Sequence, residues 1–148
     1  MGLLSWLFGL GGARDSSPLQ NSTSHRMRRI SGPGDYEFDI VGESHYQAEL
    51  TSLAGPKTEE GVELECDAVL MAEPSNPYDA NAVAVLIEDK KVGYLSRADA
   101  ARWTTQLDRM GWVGERVLVE ALIVGGWLRK RRVKVDEGSF GVKLDLDF

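Results

Sequence analysis

Residues 82–95 read Ala-Val-Ala-Val-Leu-Ile-Glu-Asp-Lys-Lys-Val-Gly-Tyr-Leu. The run at 82–87 is wholly apolar and short, the mark of a buried strand. Glu88, Asp89 and Lys90 turn the chain, and residues 91–95 return as the second arm of a hairpin. Upstream, Val62, Leu64, Cys66 and Ala68 alternate with Glu63, Glu65 and Asp67, a period of two that predicts a half-buried strand. Between this strand and the hairpin, Glu73-Pro74-Ser75-Asn76-Pro77-Tyr78-Asp79 contains two prolines, so it is neither helix interior nor central strand and reads as an ordered loop. Residues 38–41 form a short strand ending at Gly42, and Tyr46, Leu50 and Leu53 follow at helical spacing before Gly55-Pro56.

Downstream of the hairpin, Ser96 and Asp99 form a capping-box-like pair. Ala100, Trp103, Leu107 and Met110 then share one helical face, and Gly111 ends the helix. Val117, Val119, Ala121 and Ile123 alternate with Leu118, Glu120 and Leu122 in a further strand, broken at Gly125-Gly126-Trp127. Residues 140–146 close the chain with Val142, Leu144 and Leu146 in alternation. About six short strands and one long helix predict an all-β fold with added helix, a small barrel-like or sandwich-like domain. Periodicity alone does not order the strands.

The chain has 148 residues, enough for one domain with a tail. Cys66 is the single cysteine, which excludes an internal disulfide and a zinc site built on paired cysteines. With His25 and His45 as the only histidines, a histidine-rich metal site is not expected either. A chain without disulfides suits a reducing compartment, and a cytoplasmic location is expected. The net charge is −6, unevenly spread: residues 1–34 carry four arginines and one acid, whereas residues 35–148 carry thirteen basic and twenty-two acidic groups. The acidic part holds one basic run, Arg129-Lys130-Arg131-Arg132-Val133-Lys134, which reads either as a solvated hairpin tip or as a local phosphate contact.

The N-terminal MGLLSWLFGLGG is apolar but too short to span a bilayer, and it lacks the basic start of a signal peptide. Residues 13–34 have linker composition. Residues 1–35 are therefore expected to be a disordered apolar and basic leader and linker, and the folded domain to occupy residues 36–148.

No catalytic motif is present. There is neither a phosphate-cradling loop ending in Gly-Lys-Ser/Thr nor a Gly-x-Ser-x-Gly elbow. Cys66, within an alternating strand, reads as a buried thiol rather than a nucleophile. Nothing in the spacing of Glu43, Glu73 and Asp79 demands a shared Mg²⁺. The expectation is a non-enzymatic protein with no metal, no cofactor and no small-molecule substrate. Taken alone, the segment from Asn76 to Val83 reads as a rigid turn in which Asp79 and Asn81 hold the loop and Tyr78 covers the core edge.

That segment has company. Ile40-Val41-Gly42-Glu43-Ser44-His45-Tyr46-Gln47, then Glu73-Pro74-x-Asn76-Pro77-Tyr78-Asp79-x-Asn81-Ala82-Val83-Ala84-Val85, then Val92-Gly93-Tyr94-Leu95 and Phe140-Gly141-Val142-Lys143-Leu144-Asp145-Leu146 together resemble the HIRAN domain family, in its order and at its spacings. The likeness is to a stand-alone member of bacterial or phage type. The resemblance implies a small OB-like β-barrel with added helix, and capture of the 3′ end of single-stranded DNA. It implies that Tyr78 stacks on a base and that Asp79 accepts a hydrogen bond from the terminal 3′-hydroxyl. Asn76 and Asn81 would shape the loop or touch the backbone. Tyr46 matches one of two consecutive aromatics; His45 occupies the other position and Ser44 stands in place of an arginine, both departures that weaken the contact.

Tyr94 falls near a further binding position. Trp127 would add a stacking face, and Arg129 and Arg131 phosphate contacts. The implied partners are single-stranded DNA ends and a replication or repair protein docked through the leader, with a role in DNA repair or replication. The competing reading is a protein-interaction module that binds no nucleic acid.

Overall fold

The computed structural model describes residues 27–148; the apolar leader and most of the expected linker lie outside them. The strands are β1 (Met27–Arg29), β2 (Phe38–Asp39), β3 (Val62–Ala72), β4 (Val83–Ile87), β5 (Lys90–Tyr94), β6 (Arg116–Gly125), β7 (Leu128–Lys130), β8 (Val135–Glu137) and β9 (Phe140–Leu144). Two α-helices, α1 (Gln47–Ala54) and α2 (Arg97–Met110), and a single 3-10 turn at Glu43–His45 complete the elements of the described residues.

Six strands form one antiparallel sheet in the order β2-β9-β6-β3-β4-β5. Just beyond β2, Val41 pairs with Tyr94 at the end of β5, and each N–H meets the other's carbonyl at 2.8 Å. This bridge joins the two outer strands, so the sheet curls into a small OB-like barrel. The β4–β5 turn is tighter than the sequence suggested. It is made by Glu88 and Asp89 alone, both at positive φ (50° and 67°), the hand that matches the twist of the flanking strands.

The core runs through the barrel and under α2, with Leu50, Leu70, Val85, Val119, Trp103 and Phe140 all buried. Ser96 Oγ accepts the Asp99 N–H at 3.1 Å and Gly111 closes α2 in the left-handed region, as the caps predicted. Cys66 is half-buried in β3, and burial pushes its thiol up to about 11, so the thiolate a nucleophile needs is scarce at neutral pH. No helix among the described residues is long and apolar enough to cross a membrane.

The ordered sheet begins earlier than the expected start near Tyr36. β1 pairs in parallel with Arg116–Leu118 of β6, on the edge that β9 leaves open because β9 reaches only Ala121 to Gly125. The segment after β1 is fixed by backbone contacts. Gly34 N–H donates to the carboxylate of the buried Asp145 at 2.7 Å. A side chain at Gly32 would lie 2.2 Å from the Asp145 carbonyl oxygen. Such contacts leave no apolar period in the sequence, which is why residues 27–35 read as linker.

Candidate nucleic-acid interface

The loop between β3 and β4 is built by its own polar side chains. The Asn76 carboxamide oxygen accepts the N–H groups of Tyr78 (2.8 Å) and Asp79 (3.2 Å), and its NH₂ group donates to Glu73 at 3.0 Å. Asp79 in turn accepts the Asn81 N–H at 2.9 Å. Glu73 N–H donates to the Ala82 carbonyl, and Ala82 N–H to the Asp79 carbonyl, closing the base of the loop. From outside, Arg97 at the start of α2 donates to the Tyr78 carbonyl at 3.0 Å. The Asn-Pro-Tyr-Asp segment is thus held at several points before any ligand arrives, with Pro77 restricting the remaining freedom.

The Tyr78 ring is 83% exposed. It does not cover the core edge, as the turn reading alone would have it. An exposed ring on an immobilised backbone is a poor device for stability and a good one for stacking.

Behind the loop, Glu73 is ion-paired with Lys91, and Tyr94 donates its hydroxyl to Glu73 at 2.8 Å. Lys91 also donates to the Tyr94 hydroxyl at 2.8 Å. Burial pushes Glu73 upward, but hydrogen bonds from Lys91, Asn76 and Tyr94 outweigh it and leave the carboxyl below its ordinary range. The same hydrogen bond with Glu73 raises Lys91, and burial raises Tyr94. At neutral pH this is a charged pair that fixes the tilt of the Tyr94 ring.

The opposite wall is the turn at Glu43–His45 and the start of α1. Its anchor is Gln47, whose carboxamide accepts the Phe140 N–H at 2.9 Å and donates to the Phe140 carbonyl at 2.9 Å. Glu43 accepts the Val142 N–H at 3.2 Å. β2 pairs with β9 only at Lys143 and Leu144, so these two side chains take the place of a strand along the rest of that edge. They also seat His45 and Tyr46 beside the loop.

Between these walls lies a groove of about 890 Å³. His45, Tyr46, Asn76, Tyr78, Asp79 and Tyr94 all line it, joined by Glu73, Leu95 and Arg97. Six of the ten residues singled out from the sequence therefore share one space. Asn81 is exposed, does not line the groove, and contributes its N–H to Asp79. Trp127, Arg129 and Arg131 do not reach the groove, because Gly125 and Gly126 turn the chain into the separate β7–β8 hairpin.

Arg97 was missed. Its position as the first residue of a predicted helix, directly after the second arm of the hairpin, was the available signal. Glu73 faces Lys91, Asn76 and Tyr94 rather than other acids, and among the described residues no cluster of three metal-ligating side chains forms.

A family model described as the HIRAN domain matches residues 33–122, more than half of the chain and every groove residue named above. Searches of curated proteins and of solved structures find no significant match. The closing block at Phe140–Leu144 lies beyond the matched residues, and its place in the barrel rests on its pairing with β6 and β2. The barrel, the pinned Asn-Pro-Tyr-Asp loop and this match agree: the chain belongs to the HIRAN domain family, a family of nucleic-acid-binding modules.

Proposed function

We propose that this domain captures the 3′-hydroxyl end of single-stranded DNA in the groove, by binding alone and without catalysis, and that it serves DNA repair or replication in that way. The observation that carries the reading is the convergence of three tyrosine rings, a histidine and the Asp79 carboxylate on a single open groove whose other carboxylate, Glu73, is ion-paired with Lys91. Aromatic faces stack on any base, so such a groove takes a strand regardless of sequence. Asp79 spends one acceptor site on the Asn81 N–H, which aims the carboxylate, and a carboxylate retains further lone pairs for a terminal hydroxyl. Arg97, at the rim, supplies positive charge for the adjacent phosphate.

The magnitudes suffice. Two stacked bases at about 1–3 kcal/mol each, with one hydrogen bond to a carboxylate at about 1.5–3 kcal/mol, give roughly micromolar binding after the cost of association. Few phosphate contacts are needed, so the net charge of −6 is no obstacle.

The test compares a linear single strand with a circular one of the same sequence, titrated against the full chain at fixed salt. The linear strand is expected to bind at least tenfold more tightly. Equal affinities would show generic strand binding, and no affinity for either would leave a protein-interaction module.

A further inference from the structure

The basic run that the groove does not use stands on the β7–β8 hairpin, which lies beyond the family match. We propose that this hairpin is a second nucleic-acid contact, which grips the phosphate backbone of duplex DNA. The proposal rests on the nucleic-acid reading above but not on the groove's mechanism.

The charges come first. Residues 128–137 contain five basic side chains and two acids, a local excess of +3 on a chain of net −6. The two acids are already neutralised. Asp136 meets Arg131 at 2.7 Å and Lys134 at 3.4 Å, and Glu137 meets Lys57 at 2.5 Å. Arg129 lies 4.7 Å above the Trp127 ring and donates to the Glu59 carbonyl at 3.2 Å, so it braces the base of the hairpin. Lys130 and Arg132 have no ion pair among the described residues, and both are exposed.

The shape comes second. Arg131 and Lys134 close the tip with an N–H to carbonyl bond of 2.7 Å, which leaves Arg132 and Val133 as the two tip residues. Tight two-residue hairpin turns favour Asn and Gly at positive φ, and neither tip residue has that identity or that φ. Val133 is moreover 97% exposed. Folding does not explain an arginine and a bare valine at the apex. A cationic two-stranded ribbon with a narrow apolar tip is a shape that fits a duplex groove, with its cations against the flanking phosphates.

The position comes third. Val62 of β3 pairs with Gly125, where the chain leaves for the hairpin, whereas Ala72 at the other end of β3 leads into the groove loop. Ten residues at about 3.3 Å each separate the two along the strand. The hairpin is thus placed to hold duplex while the groove holds a strand end.

The test uses the full chain and two probes, a tetranucleotide single strand and a blunt twelve-base-pair DNA duplex, each titrated from low to moderate salt. Wild type is expected to bind both. A Lys130→Gln/Arg132→Gln variant is expected to lose about tenfold in duplex affinity, to lower the log–log salt slope for the duplex by about two, and to bind the tetranucleotide unchanged. Failure of the wild type to bind duplex, or an unchanged duplex affinity and slope in the variant, would overturn the proposal. Loss of tetranucleotide binding by wild type with duplex binding intact would instead count against the groove and leave the hairpin contact standing.

Discussion

A Tyr78→Ala variant is expected to bind a short single-stranded DNA roughly five- to 150-fold more weakly than wild type while unfolding at the same temperature. The affinity range is the stacking energy of one base on one ring, about 1–3 kcal/mol, converted at about 1.4 kcal/mol per decade. The unchanged stability follows from the ring's position. It is 83% exposed, so truncating it opens no cavity and removes no core contact. The two hydrogen bonds that Tyr78 lends to the loop come from its backbone, through its N–H to Asn76 and its carbonyl to Arg97, and alanine keeps both. Anisotropy titration and a thermal melt read the two quantities separately. An unchanged affinity would remove Tyr78 from the binding surface, and a large drop in melting temperature would show that the ring supports the fold.

The second large effect falls on stability. Gly93→Ala is expected to destabilise the domain by about 1–3 kcal/mol, the usual cost of forcing a methyl into a packed site. Gly93 lies on β5 at the barrel's closing seam. A Cβ there would stand 2.7 Å from the Val41 carbonyl oxygen and 2.8 Å from Ile40 Cδ1. That same carbonyl accepts the Tyr94 N–H in the bridge that joins the outer strands. The methyl can be accommodated only by moving backbone, so the seam opens and Tyr94 shifts in the groove. A thermal melt should show a fall of roughly 5–15 °C, accompanied by weaker DNA binding. An unchanged melting temperature would mean that the Val41–Tyr94 bridge is not what closes the barrel.

The two variants separate what the sequence showed from what it hid. The hairpin at 82–95, the capped helix α2 and the alternation in β3 and β6 were readable because their signals are local: period, cap and turn residues lie within a few positions of one another. Barrel closure was not readable. It depends on one backbone bridge between Val41 and Tyr94, residues fifty-three positions apart whose side chains carry no mark of the pairing. β1 was hidden for a related reason, since its pairing with β6 uses main-chain groups and leaves no apolar rhythm in Met27–Arg29.

The groove shows the same division. The ordered loop was visible because Asn76 and the prolines announce it, but the binding roles of Tyr78 and Asp79, like those of His45 and Tyr46, came only from the family resemblance. Arg97 and the Glu73–Lys91–Tyr94 network were missed because each joins residues from different elements. Conversely, Trp127, Arg129 and Arg131 looked suitable by chemistry alone. The chain's turn at Gly125 and Gly126 carries them to the hairpin instead.

The central claim, that Asp79 meets a free 3′-hydroxyl in the groove, is tested most directly by anisotropy with one short single strand labelled at its 5′ end. The strand is offered with either a 3′-hydroxyl or a 3′-phosphate, at fixed low salt. A terminal phosphate brings negative charge against the carboxylate and removes the hydroxyl donor, so the hydroxyl form is predicted to bind at least tenfold more tightly. Equal affinity for the two ends would contradict end capture by Asp79 and leave the groove as a generic strand-binding surface.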